Sequence, residues 1–177
     1  MNPKAFRTQR LTQGAMIAAV YAVLTWAQAL LPPTASLTYG PVQFRVAEAL
    51  TILPVFTPAA IPGLSVGCLL ANVLSGYGAA DMVFGTLATL LAAVFTRMLR
   101  NIRIKSIPVL APLPPVLFNA AIVGMMIAVQ SPGQPLWPTF WSMAASVGFG
   151  ELVVCYALGL PLAAALKKAT AKSNILK

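Results

Sequence analysis

The sequence predicts an all-α membrane protein of six transmembrane helices with the N-terminus and C-terminus both cytoplasmic, and three observations predict it. Of its 177 residues, 59% are hydrophobic and only 8% charged, with mean hydropathy +0.83, whereas a soluble domain carries roughly 25% charged residues. Its twelve Lys and Arg fall, Arg45 apart, into three clusters: Lys4, Arg7 and Arg10; Arg97, Arg100, Arg103 and Lys105; and Lys167, Lys168, Lys172 and Lys177. The apolar stretches between clusters divide into four and then two. Positive residues flanking spans stay on the cytoplasmic side, so an even number of crossings must separate neighbouring clusters. A chain of 177 residues holds at most six spans of about 20 residues, so residues 1–177 are read as a single transmembrane domain. The basic balance is topological and does not indicate nucleic acid.

The first span covers 11–31 and stops at Pro32-Pro33, which cannot continue a helix. It is too long for a signal peptide and is expected to remain as a helix. After an outer loop, the second span is short, 45–56, and Thr57-Pro58 turns the chain back into a third at 59–75. These two could equally form a re-entrant hairpin, which satisfies the same charge clusters. Gly76-Tyr77-Gly78 connects to a fourth span at 81–98, and the basic run follows. The fifth begins among Pro108, Pro112, Pro114 and Pro115 and reaches Gln130. The sixth, 139–166, is long enough to require tilt or projection into the cytoplasm.

Absences narrow the chemistry. The chain has no His and only two Cys, Cys68 and Cys155, too few for a metal cluster, so no metal and no cofactor is expected. The two thiols read as small packing residues. No phosphate-binding glycine loop is present, so the chain is not expected to hydrolyse ATP or act as an enzyme. Energy for active transport has to come from partners or an ion gradient.

The chain's three acids are Glu48, Asp81 and Glu151. An ionisable group within a span costs roughly 2.5–3.5 kcal/mol on insertion scales, which makes each a candidate site residue. Glu48 follows Arg45 by one turn, so Arg45 serves either as its ion-pair partner or as a ligand contact. Asp81 starts the fourth span, where it is a helix cap or a site residue. Glu151 lies mid-span with no cation within a turn. At 100° per residue, Trp137, Trp141, Gly148, Glu151 and Cys155 fall within about 80° of one another, a stripe suited to a flat nitrogenous ligand; an interfacial aromatic belt also accounts for the two Trp. Ser65, Cys68 and Asn72 share a face on the third span, and Asn119, Met126 and Gln130 on the fifth. On the first helix, Gly14, Ala18 and Ala22, with Ala15 and Ala19 beside them, form a small-residue surface that serves internal packing or the docking of a partner membrane subunit.

The stretch from Tyr39-Gly40-Pro41-Val42-Gln43-Phe44-Arg45-Val46-Ala47-Glu48 to Leu53-Pro54, then Phe56-Thr57-Pro58 to Pro62-Gly63-Leu64, resembles the QueT family of queuosine-precursor transporters. So do Gly67-Cys68 to Asn72, Asp81, and Phe84-Gly85-Thr86 to Leu90. The similarity is dense over 39–93. The resemblance implies the substrate-specific S component of an energy-coupling factor (ECF) importer in the plasma membrane. Its small-molecule substrate would be a 7-deazaguanine, in the aminomethyl form. The partners would be a transmembrane coupling subunit, which the first helix would meet, and two ATPases. Glu48 would accept the guanine edge, and Glu151 or Asp81 the cationic aminomethyl group. Asn72, Asn119 and Gln43 would read the remaining polar atoms. Trp137, Trp141 or Tyr39 would stack on the ring, and the loop from Tyr39 to Phe44 would close over it. The alternatives are an S component for another vitamin, or a stand-alone proton-coupled carrier using Glu151 and Asp81 as a relay.

Overall fold

The computed structural model describes residues 3–31, 34–39, 43–104 and 107–175, without the side chains of 3–6, 35–36 and 171–175. Of the residues singled out above, Pro32, Pro33, Gly40, Pro41, Val42, Lys105 and Lys177 lie outside the described residues, as do the side chains of Lys4 and Lys172. Helix α1 runs Pro3–Leu30 and the short α2 Ala35–Tyr39. A 3-10 helix follows at Val46–Val55, then α3 at Ala60–Ala71 and α4 at Ala79–Met98. Helix α5, Leu113–Phe118, continues through a π-helical segment at Asn119–Val123 into α6, Gly124–Val129. Helix α7, Leu136–Val154, passes through a second π segment, Cys155–Gly159, into α8, Leu160–Ile175. Among the described residues no strand forms beyond an isolated bridge between Ile104 and Ile107.

Among the described residues three helical stretches are long and apolar enough to cross a membrane: Arg7–Leu30, Ala79–Asn101 and Leu136–Thr170. Three more are apolar but shorter: Val46–Val55, Ala60–Leu74 and Leu113–Val129. All occur in the expected chain order. The second is the departure. At about 2.0 Å per residue, the ten-residue 3-10 helix extends about 20 Å, short of a hydrocarbon core of about 30 Å. Pro54 lies inside this helix and has no N–H to donate, and Phe56 and Thr57 both close onto the Leu53 carbonyl before the chain reverses.

Local sequence explains the remaining boundaries. The fifth apolar segment becomes regular only at Leu113, because prolines are tolerated in a helix's first turn and Pro114 and Pro115 occupy it. Gly78 adopts φ 63°, a left-handed conformation open to glycine, and so starts α4 tightly after the third segment. The π turn Cys155–Gly159 ends two residues before Pro161, whose ring crowds the carbonyl four residues back, within the turn; widening the helix there relieves the clash.

The small-residue face of α1 is turned inward. A Cβ added to Gly63 would lie 2.7 Å from the Gly14 carbonyl, and one on Gly67 would lie 2.8 Å from the Tyr21 Cβ and 3.0 Å from the Ala18 carbonyl. Helices α1 and α3 therefore approach backbone to backbone. Gly14, Ala18 and Ala22 are buried in this seam, and of the expected docking residues only Ala15 and Ala19 are exposed. The seam continues into a core of Tyr21, Ala47, Ala60, Leu64, Cys68, Ala71 and Ala93.

Candidate functional site

Two buried polar groupings lie in the bundle, and Arg45 decides where they divide. It is 5% exposed at the N-terminus of the 3-10 helix, where its extended backbone (φ −79°, ψ 108°) carries the chain in from the loop. Its Nε donates to the Thr38 carbonyl at 3.0 Å and its Nη1 to Asn72 Oδ1 at 3.1 Å. Its Nη2 pairs with Asp81 Oδ2 at 3.4 Å, and the Tyr39 ring lies 5.1 Å from the guanidinium carbon. Asn72 also donates to the Asp81 carbonyl at 2.9 Å, and Ser75 Oγ to Asp81 Oδ2 at 2.5 Å. The Tyr39 hydroxyl bonds the Ala71 carbonyl. Arg45 thus pairs with Asp81, not with Glu48 one turn away. Asp81 does not cap its helix either: the N-cap position is Gly78, with no side-chain cap. Together these residues pin the loop before the 3-10 helix to the end of α3 and the start of α4.

The second grouping forms where three irregular helical segments meet. Glu48 lies on the 3-10 helix, Asn119 opens one π segment and Cys155 opens the other. Such helical irregularities recur at functional sites because they redirect side chains and free backbone groups. The 3-10 helix packs on Cys155–Gly159, and α7 packs on Asn119–Val123. Glu151 accepts from Asn119 Nδ2 at 2.9 Å through Oε1, and the Cys155 thiol lies 3.5 Å from its Oε2. The same sulfur is 3.7 Å from the Glu48 carbonyl and from Thr51 Oγ1. Glu48 Oε1 accepts from the Tyr21 hydroxyl, and Glu48 Oε2 has no hydrogen-bond partner. The side-chain amide nitrogen of Gln43 is likewise buried and unpartnered. The Gln43 backbone lies against Gly150, where an added Cβ would come within 1.9 Å of its carbonyl oxygen. Glu48 and Glu151 are 1% and 3% exposed, and among the described residues the one salt bridge is Arg45–Asp81. A buried carboxylate without an ion pair is costly in protein or lipid, so this grouping carries polar capacity that its own hydrogen bonds do not fill.

Other expected residues fall elsewhere. Trp137 and Trp141 are 61% and 67% exposed, far from the cover that buries Glu151 and Cys155 on the same helix. Wheel arithmetic gives a direction around a helix; among the described residues nothing buries that face near the start of α7, and exposed rings at a helix end are what an interfacial belt consists of. Gln130 is exposed and borders an apolar hollow of about 570 Å³ with Phe84, Leu87, Met125 and Phe140, while Asn119 faces Glu151. Ser65 bonds the Ile61 carbonyl at 2.9 Å, away from Cys68 and Asn72, which lie 3.6 Å apart. Tyr21 and Thr51 were not foreseen as site residues. Tyr21 has a sequence signal, being seven residues after Gly14 and so on the same inward face of α1.

A sequence profile of the QueT transporter family matches residues 11–168. The chain belongs to this family. Both polar groupings fall within the matched region. The queuosine precursor transporter QueT of Lactococcus lactis subsp. cremoris (strain MG1363) is 34% identical over 87 residues, which cover 49% of this chain and 48% of that protein. The match therefore spans about half the length of this curated relative. No solved structure matches the chain.

Proposed function

We propose that this member of the QueT transporter family is the substrate-binding S component of an ECF importer, capturing a queuosine precursor, 7-aminomethyl-7-deazaguanine, from outside. The observation that carries the reading is the pair of buried carboxylates, Glu48 and Glu151, that meet at Cys155 without a cation. The proposed ligand has a ring N–H beside an exocyclic amine, two donors that one carboxylate accepts together, and a cationic aminomethyl group that needs a second carboxylate. Glu48, with its free Oε2, takes the guanine edge; Glu151 takes the cation. The unpartnered amide of Gln43 and the Asn119 amide read the carbonyl and ring nitrogens.

In this reading both termini are cytoplasmic in the plasma membrane, with the short second and third apolar segments entering and returning as one hairpin. A coupling subunit meets the exposed face of α1 at Ala15 and Ala19, and two partner ATPases supply the energy. Support for the substrate comes from the relative's name together with the site's charge. A proton-coupled carrier working alone would need Asp81 to exchange protons, and the ion pair of Asp81 with Arg45 counts against that role.

The test is ligand binding by purified protein in detergent, compared between the aminomethyl compound and the same 7-deazaguanine without the amine. Glu48→Gln is expected to weaken both ligands, and Glu151→Gln the aminomethyl compound alone. Equal affinity of wild type and both variants for the aminomethyl compound would overturn the site. Uptake into vesicles containing this chain alone, without ATP, would overturn the S-component role.

A further inference from the structure

We propose that the end of the bundle carrying the basic clusters holds a binding site for the headgroup of an anionic phospholipid, in the cleft between α1 and the turn before α3. The cleft, about 290 Å³, is lined by Arg7, Arg10, Leu11, Pro58, Ala59 and Pro62. It is separate from the carboxylate grouping in position and in sign. Arg97 lies within electrostatic range of Arg10 and of Arg100, so several guanidiniums gather at this end. Arg97 itself donates through Nη1 to the Pro54 and Val55 carbonyls at 3.0 and 3.2 Å. All three acidic side chains of the chain, Glu48, Asp81 and Glu151, are buried at 1%, 0% and 3% exposure and cannot face this cleft. The positive end of the α3 dipole, starting at Ala60, adds to the same field.

What distinguishes a lipid from a free anion is the surface that continues from the cleft. Arg7 stands at the first residue of the apolar span Arg7–Leu30, and Leu11, 67% exposed, follows it one turn along the helix. A cationic cleft running into an apolar strip at the edge of a membrane span matches an amphiphile: phosphate on the guanidiniums, acyl chain along α1. Guanidinium is suited to this role because its planar donors bond two phosphate oxygens at once.

Native mass spectrometry of the purified full chain, titrated with phosphatidylglycerol and in parallel with phosphatidylcholine, tests the site. Phosphatidylglycerol is expected to bind one-to-one and several-fold more tightly than phosphatidylcholine. Arg7→Gln and Arg10→Gln should each lower that affinity about fivefold, the effect of one interfacial cation. Arg103→Gln, an exposed arginine outside the cleft, should leave it unchanged. If the arginine variants fail to fold, Leu11→Glu keeps both guanidiniums, places a like charge at the cleft mouth and should reduce binding comparably. Undiminished binding in the cleft variants overturns the proposal. So does equal binding of the two lipids, and so does displacement of phosphatidylglycerol by millimolar inorganic phosphate, which would make this a free-phosphate site.

Discussion

The Arg45–Asp81 grouping and the Glu48–Glu151 grouping are equally deep, yet they are built on opposite principles. In the first, one cation meets one carboxylate, Thr38, Asn72 and Ser75 bond to the pair, and Asp81 Oδ1 alone is left without a hydrogen bond. In the second, two carboxylates share a thiol neighbour, neither forms a salt bridge with a described residue, and Glu48 Oε2 and the Gln43 amide nitrogen are left open. Burial alone therefore does not mark a binding site. The informative quantity is the charge that the fold leaves without an ion pair, since a network closed by an ion pair stabilises one conformation and an open one stores free energy that a ligand can recover.

Breaking the closed side should give the largest effect. Arg45→Met strands Asp81 in the interior and is expected to cost about 3–5 kcal/mol of stability, read as a large fall in thermal midpoint in detergent. The open side should respond with the other sign: Glu151→Gln removes a buried carboxyl that has no ion pair and is expected to leave the midpoint equal or higher. In the same protein, ligand affinity should fall by about 2–5 kcal/mol, measured by calorimetry. Loss of stability and binding together in Glu151→Gln would erase the distinction between the two groupings. Gly150→Ala sharpens it geometrically, because the new Cβ would collide with the Gln43 carbonyl; displacing that segment should cost about 1–3 kcal/mol of stability and weaken binding through Gln43. Smaller again is Tyr21→Phe, which deprives Glu48 Oε1 of its donor and should cost about 0.5–1.5 kcal/mol in denaturant unfolding. Trp141→Ala, on an exposed ring, should leave ligand affinity unchanged in the same calorimetric assay; a loss would return the ring to the site.

Much of the fold was legible in composition and punctuation. Prolines and glycines set the ends of the apolar segments: Pro114 and Pro115 fit a first turn, and Gly78 supplies a positive φ. The site was legible in its residue types and less so in its pairings. Glu48, Glu151, Asn119 and Gln43 come together as a group, but the stripe that joined Glu151 to Trp137 and Trp141 does not, because α7 runs past its packing neighbours before reaching the two rings. The face that joined Asn119 to Gln130 fails for another reason. Wheel arithmetic assumes 100° per residue, and the π segment Asn119–Val123 interrupts that regular advance.

By itself the sequence determined that lipid is the solvent, that the elements are helices in this order, and that three acids are all that a buried site can draw on. These follow from local quantities: apolar content, turn residues and a count of carboxylates. Only the tertiary structure decided which carboxylate Arg45 neutralises, and it chose Asp81, 36 residues away, over Glu48. It also turned Gly14, Ala18 and Ala22 inward against Gly63 and Gly67. The physical reason is common to both. A sequence states what each side chain can bond or how closely it lets a neighbour approach, while the partner is set by the closing of helices distant along the chain.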